Sequence, residues 1–409
     1  MTQHLTPDAA PPPDRSRSGT TYMVVGTLLA AIAAYLFQLV AGRVLGPEGL
    51  APIVVLWTVQ FLLFTIVFMP MEQLTIRRLS AGVASAAPWR LFLTLIVVST
   101  AGAVAYAALT LDRQFDGEPW YLVVMALLIL AYGGFALGRG FLAGRRRFRE
   151  YGLAVLIESV LRLALAVALL AVGIGPLGLS WTLVVGGLVV WLWNPLRGER
   201  RQEAGHAREE GSGGPLAAFV TANASAQTLV AAGPLAVSAL GGSDAAQSIL
   251  FMTFLLFRSP LTVSYSLIAR ILPPFTRLAE QGATAAIRRW ALRFAGAGAL
   301  LGVAAYGVGL TIGADVVELM FGAEFRPSAQ MAALAAAGST LATVVLFEQQ
   351  LLIALRATRR MAAAWLVALA VAVAVIVPDG AEVTVRVSRA FLAGEVTALI
   401  GLTVAILRR

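Results

Sequence analysis

The chain runs to 409 residues, 59% of them hydrophobic and only 13% charged, with a mean hydropathy of +0.81 and a formal net charge of +9. Soluble globular domains are roughly 45–50% apolar and about 25% charged, so this composition excludes that class and implies an all-α polytopic membrane protein. Cysteine is absent and both histidines, His4 and His206, lie in polar segments, which excludes disulfide frameworks, thiolate metal sites and a histidine-centred site within the membrane.

Residues 1–20, "MTQHLTPDAAPPPDRSRSGT", are polar and proline-rich and predict a disordered cytoplasmic lead. About twelve apolar stretches of the roughly 20 residues needed to cross a bilayer follow. In the first half they fall near 21–42, 50–70, 90–110, 120–138, 151–173 and 177–195. The polar stretch 197–214, "RGERRQEAGHAREEGSGG", is the one long break and reads as a cytoplasmic linker. Beyond it the spans fall near 215–240, 247–270, 293–313, 329–354, 361–378 and 389–407. The chain thus divides into an N-lobe, 21–196, and a C-lobe, 215–409, with six spans in each.

All 31 basic residues are arginine, so an arginine here carries no chemical preference over lysine. Five fall in the loops of one side (Arg43, Arg113, Arg326, Arg386, Arg389), two lie inside spans (Arg162, Arg258), and the rest gather on the other side. By the positive-inside rule the arginine-rich side is cytoplasmic, which puts both termini there, in a bacterial cytoplasmic membrane. The outer loops carry Asp112, Asp116, Glu118, Asp315, Glu318 and Glu324. This distribution along membrane loops argues against a nucleic-acid partner despite the basic balance.

Two echoes point to an internal duplication. "FLAGRRRFR" (141–149) resembles "LIALRATRR" (352–360), and "LGPEGLAPIVVLW" (45–57) resembles "LGGSDAAQSILFM" (240–252). Both halves start on the same side, so the repeat is parallel, with its axis along the membrane normal.

"GRVLGPEGLAPIVVLW" (42–57) resembles the A-R-x-L-G-P-E-x-x-G segment of bacterial polysaccharide-transport flippases, of the multidrug/oligosaccharidyl-lipid/polysaccharide exporter superfamily. "VELMFGAEFRPSAQMAALAAAGSTL" (317–341) is similar to the family's L-x-F-G-x-x-F-x-x-S-A segment, and "FRSPLTVSYSLIARILPPFTRLAE" (257–280) to its eighth helix. The resemblance implies two six-helix lobes around a cavity that opens alternately to each side. It also implies a substrate: oligosaccharide linked to polyprenyl pyrophosphate, flipped to the outer leaflet for cell-surface polysaccharide synthesis. A polysaccharide polymerase or glycosyltransferases are then candidate partners beside membrane lipids. The family's lipid II flippases carry two further C-terminal helices that this pattern lacks.

Charges inside the spans are the candidate site, because each costs roughly 2.5–3.5 kcal/mol at mid-bilayer. In "YGLAVLIESVLRLALAVALLAVGIG" (151–175), Glu158 lies about 10 Å and Arg162 about 17 Å from the span's start. Their i, i+4 spacing allows an ion pair. Two readings stand: a pair that pins the lobe, or Arg162 facing the cavity with Glu158 holding it. Arg258, also near the midplane, has no acid one turn away and is expected to line the cavity. Tyr35 and Gln38 on the first span, and Arg43 at its outer mouth, are further candidate substrate contacts, with interhelical hydrogen bonding the plain alternative for the first two and interfacial anchoring for Arg43. Guanidinium forks suit pyrophosphate oxygens. Glu348 and Glu395 are candidate ion- or proton-coupling groups, with structural salt links as the alternative.

No catalytic residue, metal site or cofactor is expected. An enzyme of the same pathway would need a sizeable outer loop bearing acids or histidine, and these loops are short. A multidrug exporter of the same fold, or a scaffold, are the alternatives to the flippase.

Overall fold

The computed structural model describes residues 15–80, 89–196, 213–265, 267–376 and 380–408. Most of the expected N-terminal lead (1–20) and of the linker (197–214) lies outside the described residues.

Helix α1 (Arg15–Leu63) passes through a break at Gly46, whose φ of 70° only glycine adopts readily, and Pro47 starts the next arm. A π-helical segment, Phe64–Phe68, leads into α2 (Met69–Ser80). There follow α3 (Trp89–Leu109), the short α4 (Leu111–Gln114), α5 (Trp120–Gly144), α6 (Phe148–Ala171) and α7 (Pro176–Leu188). The second half opens with α8 (Gly213–Ala231) and α9 (Gly233–Ala239), then α10 (Asp244–Phe257), α11 (Ser259–Tyr265) and α12 (Ile268–Glu280). It continues with α13 (Thr284–Val308), a second π segment Gly309–Gly313, α14 (Ala314–Phe321), α15 (Ala329–Ala354), α16 (Thr358–Val375) and α17 (Val383–Leu407).

Helices occupy each expected apolar stretch. Among the described residues nine continuous runs are long and apolar enough to cross a membrane, ten if the bent pair α10–α11 is one span. The longest run, Val25–Leu79, contains both of the first two expected spans. Several boundaries differ from expectation. The second span is extended by α2, and the fourth runs to Gly144 rather than residue 138, which draws Arg139 into the helix. Arg139 is tolerated there because Glu72 and Tyr151 meet it, as described below. The ninth span begins at Thr284 rather than residue 293 and runs on to Phe321, and the twelfth begins at Val383 rather than residue 389, which draws Arg386 and Arg389 into α17.

Two apolar cores form. One gathers Phe37, Phe68, Phe92, Phe115 and Met125 from the first half, and takes in Met252, Phe321 and Phe325 from the second. The other lies within the second half, around Phe254, Trp365, Phe391 and Leu402. Close helix approach inside the first half depends on glycine: a Cβ on Gly26 of α1 would lie 2.6 Å from the Gly152 carbonyl oxygen on α6.

Both sequence echoes have structural counterparts. Gly46 and Gly241, at equivalent places in the second echo, both have positive φ, 70° and 89°. In the first, α5 and α15 end in the same turn, with Arg146 (φ 59°) and Arg356 (φ 55°) left-handed. The next amide donates back to the carbonyl five residues earlier, Arg147 to Leu142 at 2.8 Å and Ala357 to Leu352 at 2.9 Å, as a Schellman turn requires. The equivalent pair is Arg146 with Arg356, one residue off the register of the sequence echo.

The loops sort to two ends. At the arginine-rich end Arg145 donates to the Pro195 carbonyl (2.8 Å) and Arg147 to that of Trp193 (2.9 Å). Burial, and after it the charge of Arg147, hold the Arg145 guanidinium below its ordinary pKa. At the acid-bearing end the two halves meet. Arg43 donates to the carbonyls of Leu319 (2.6 Å) and Met320 (2.9 Å), Arg113 donates to the Ser238 carbonyl, and Gln114 donates to the Ser238 hydroxyl (2.7 Å).

Candidate functional site

Arg258 is positioned by a helix break. Pro260 has no amide hydrogen and disfavours helical backbone at Ser259, so α10 ends at Phe257 and α11 leaves at 51°. Arg258 caps α10 at the corner, with its guanidinium 4.4 Å from the Phe254 ring and 5.1 Å from that of Phe391. Its Nε is buried without a hydrogen-bond partner. The guanidinium lines a cleft of about 150 Å³ between the halves, with Trp57, Thr58 and Phe61 from one side and Leu261 and Thr262 from the other.

This cleft shares Val230 and Leu261 with a larger cavity of about 360 Å³. Gln227, Tyr265, Gln349, Gln350 and Glu395 line the larger space. Glu395 lies one helical turn beyond Phe391 on α17, is 0% exposed, and has no hydrogen bond to either carboxylate oxygen. Arg258 and Glu395 are near enough to feel each other's charge, although no ion pair closes between them. The polar run "TANASAQT" of α8 contributes Gln227, which donates to the Tyr265 hydroxyl (3.2 Å). It also contributes Asn223, which donates to the Thr65 carbonyl (3.1 Å) in the first π segment.

Glu158 and Arg162 are seated differently. They form an ion pair at 2.8 Å inside the first half, at 5% and 4% exposure. Tyr132 of α5 donates to Glu158 (2.5 Å) and accepts from Arg162 (2.9 Å), while Ser159 donates to the other carboxylate oxygen (2.7 Å). The Arg162 guanidinium packs 4.5 Å from the Trp57 ring and 5.4 Å from that of Phe37. Of the two readings open at the sequence, this geometry is that of the internal pair. Arg162 does not line the cleft at Arg258: Trp57 does, and Arg162 is buried against its ring. The reason is local, since the acid four residues before it and Tyr132 satisfy Arg162 within its own half.

Tyr35, Gln38 and Arg43 share a face of α1 that meets the second half. Tyr35 packs at a tilt against Phe321 (6.2 Å between rings), and a Cβ on Gly42 would lie 2.7 Å from the Met252 side chain. Gln38 is 0% exposed with both amide atoms unpartnered; Gln247 Nε2 and Ser248 Oγ of α10 are also buried without partners. Glu348 of α15 accepts from Thr403 (2.6 Å) on α17.

Sequence reasoning missed one buried cluster. Arg139 pairs with Glu72 (3.1 Å) and donates to the Tyr151 hydroxyl (2.5 Å), which itself donates to Glu72 (3.1 Å). The rings of Phe64, Phe135 and Tyr151 surround the guanidinium at 4.9 to 5.5 Å. The expected span ends at residue 138, which leaves Arg139 among the arginines outside the spans. The available signal was Glu72, an acid on the arginine-rich side with no local partner.

The described architecture is that of a multi-pass, all-helical membrane protein. Its fold is that of the MATE transporters. A multidrug resistance MATE family transporter of the MOP superfamily, in its inward-facing conformation, superposes with a TM-score of 0.56 over 97% of this chain and 98% of its own, at 15% identity. A multidrug resistance MATE family transporter in its outward-facing conformation gives 0.50 over 96% of each chain, also at 15% identity. The Vibrio cholerae MATE transporter VcmN gives 0.55 over 96% and 97%, at 14% identity. No family model matches the sequence. Uncharacterized proteins of Mycobacterium tuberculosis (strain H37Rv) and Mycobacterium bovis are each 27% identical over 306 residues, 71% of this chain. The match spans 60% of those relatives' length, less than two thirds.

Proposed function

We propose that the chain is a flippase that moves polyprenyl-pyrophosphate-linked oligosaccharide from the cytoplasmic to the outer leaflet by alternating access. The observation that carries this reading is Arg258: a guanidinium at the inter-half cleft, stacked on two aromatic rings, with an unpartnered Nε and no ion pair closed on it. Such a group suits a phosphate oxygen, which guanidinium donors bind with charge-assisted hydrogen bonds. The MATE fold supports the alternating mechanism, and the polar latches at the acid-bearing end correspond to a carrier closed on that side. In this reading the lobes are 21–196 and 215–409, both termini are cytoplasmic, and the partners are the enzymes that build and polymerise the glycan.

A second reading is a multidrug exporter. It is favoured by Glu395, an unpartnered carboxylate in the larger cavity, which suits a cationic cargo. One experiment separates the two. The gene is deleted in the native host and restored as wild type, Arg258→Ala or Glu395→Gln at matched expression. Lipid-linked oligosaccharide is then assayed in each leaflet, beside susceptibility to cationic dyes. We expect oligosaccharide to accumulate in the cytoplasmic leaflet of the deletion strain and of Arg258→Ala, with dye susceptibility unchanged. Normal export in the deletion strain together with increased dye susceptibility would overturn the flippase in favour of the exporter.

A further inference from the structure

Away from the inter-half cleft, the outer faces of α16 and α17 form a groove of about 650 Å³. Its walls are two helical stripes. Ala364 and Val367 come from α16, and Ile400, Gly401 and Val404 from α17. The two helices approach closely at its floor because Gly401 is small: a Cβ there would lie 3.0 Å from the Ala364 Cβ. The one polar side chain along the walls, Thr397, spends its hydroxyl on the Ala393 carbonyl of its own helix (2.8 Å).

The mouth has the opposite character. Arg360, in the first turn of α16, and Arg408, at the end of α17, both line it at the arginine-rich end, and no acidic side chain lines the groove. Arg360 reaches across to the Ala405 carbonyl (3.3 Å), which holds its guanidinium over α17 beside Arg408. From Arg360 to Val367 the apolar wall descends about 10 Å into the span. A second furrow, between α13 and α17, borders the other side of the same helix and shares Ile400 and Val404 with the first. That ridge separates two apolar channels near one pair of cations.

We propose that this is a binding site for an anionic diacyl phospholipid of the leaflet at the arginine-rich end. Its phosphate sits between Arg360 and Arg408, and its two chains straddle the Ile400–Val404 ridge. Charge complementarity selects the occupant: a basic mouth at the membrane interface attracts an acidic headgroup, and the apolar channels require chains. A zwitterionic lipid fits the channels but gains less at the mouth. The site is distinct from the transport cleft and does not rest on the flippase reading.

The test uses purified full-length protein in detergent, with native mass spectrometry reading retained lipid. Phosphatidylglycerol, phosphatidylcholine and inorganic phosphate are supplied in separate arms and in competition. The wild type is expected to retain one phosphatidylglycerol against an excess of phosphatidylcholine, and millimolar phosphate is not expected to displace it. Arg360→Gln and Arg408→Gln are each expected to weaken retention about fivefold. Val367→Trp, at an exposed position on the apolar wall, is expected to weaken it by filling the channel with the charges intact. All variants are compared at equal monodispersity, so a folding defect is recognised as such. Equal retention of phosphatidylcholine, displacement by phosphate alone, or undiminished retention in the well-folded double arginine variant would each overturn the proposal.

Discussion

At the scale of the residue, two of the intramembrane arginines, Arg162 and Arg258, show how a charge is accommodated where it is expensive. Arg162 is neutralised at 2.8 Å by the acid one turn before it and shares Tyr132 with that acid. Arg258 has only ring faces beside it and a carboxylate that forms no closed pair. Their variants should therefore fail in different ways. Glu158→Ala strands a buried guanidinium and is expected to cost about 3–5 kcal/mol of stability, while Glu158→Leu combined with Arg162→Met should recover most of it. Chemical unfolding of the purified protein measures both; a Glu158→Ala variant as stable as wild type would refute a structural role for the pair. Arg258→Ala is expected to keep the wild-type unfolding transition and lose at least about tenfold in transport, a loss of about 1.4 kcal/mol of transition-state or substrate contact.

At the scale of the element, the duplicated helix ends carry a small, measurable strain. Arg146 and Arg356 take the left-handed conformation that terminates α5 and α15, where glycine is the usual residue. A non-glycine residue there costs about 1 kcal/mol. Arg356→Gly should raise thermal stability by about that amount, and Gly46→Ala, at φ 70°, should lower it by a comparable or larger one. Differential scanning of the three proteins checks the sign. An Arg356→Gly variant less stable than wild type would mean that the side chain contributes more than the backbone loses. The repeat itself was legible as two short echoes, although turn geometry moved one of them by a residue. A Schellman turn is defined by backbone hydrogen bonds rather than by side chains, so sequence similarity can slide along it.

At the scale of the whole molecule, the seam at the acid-bearing end is closed by contacts that are individually weak. Arg43 clasps the end of α14, Arg113 and Gln114 hold Ser238, and between them Gln38, Gln247 and Ser248 lie buried with unmet hydrogen bonds. Each unmet group costs roughly 1–3 kcal/mol, which is regained when the seam opens to water. A seam built this way is expected to open at modest cost. The native chain has no cysteine, so Gln38→Cys gives a single reporter at a position 0% exposed in this state. We expect a membrane-impermeant thiol reagent to label it slowly, and Arg43→Ala to raise the labelling rate severalfold. Labelling independent of Arg43 would show that the clasp does not govern opening.

What the sequence determined by itself was the class of molecule, the positions of its apolar helices and the sorting of arginines to one end. These follow from bilayer thickness and the cost of moving charge across it, both of which act on each segment separately. It also marked the residues in which that cost is met inside a span: Glu158, Arg162, Arg258, Glu348 and Glu395. The tertiary structure decided what each of them faces. Helix rotation is set by packing against neighbours, and a span that is apolar all round carries little periodicity to reveal it. Thus Tyr132, a residue on another helix, draws Arg162 into the core, while a proline-broken corner leaves Arg258 at the cleft. Long-range partners such as Glu72 and Arg139, sixty-seven residues apart, exist only once helices assemble.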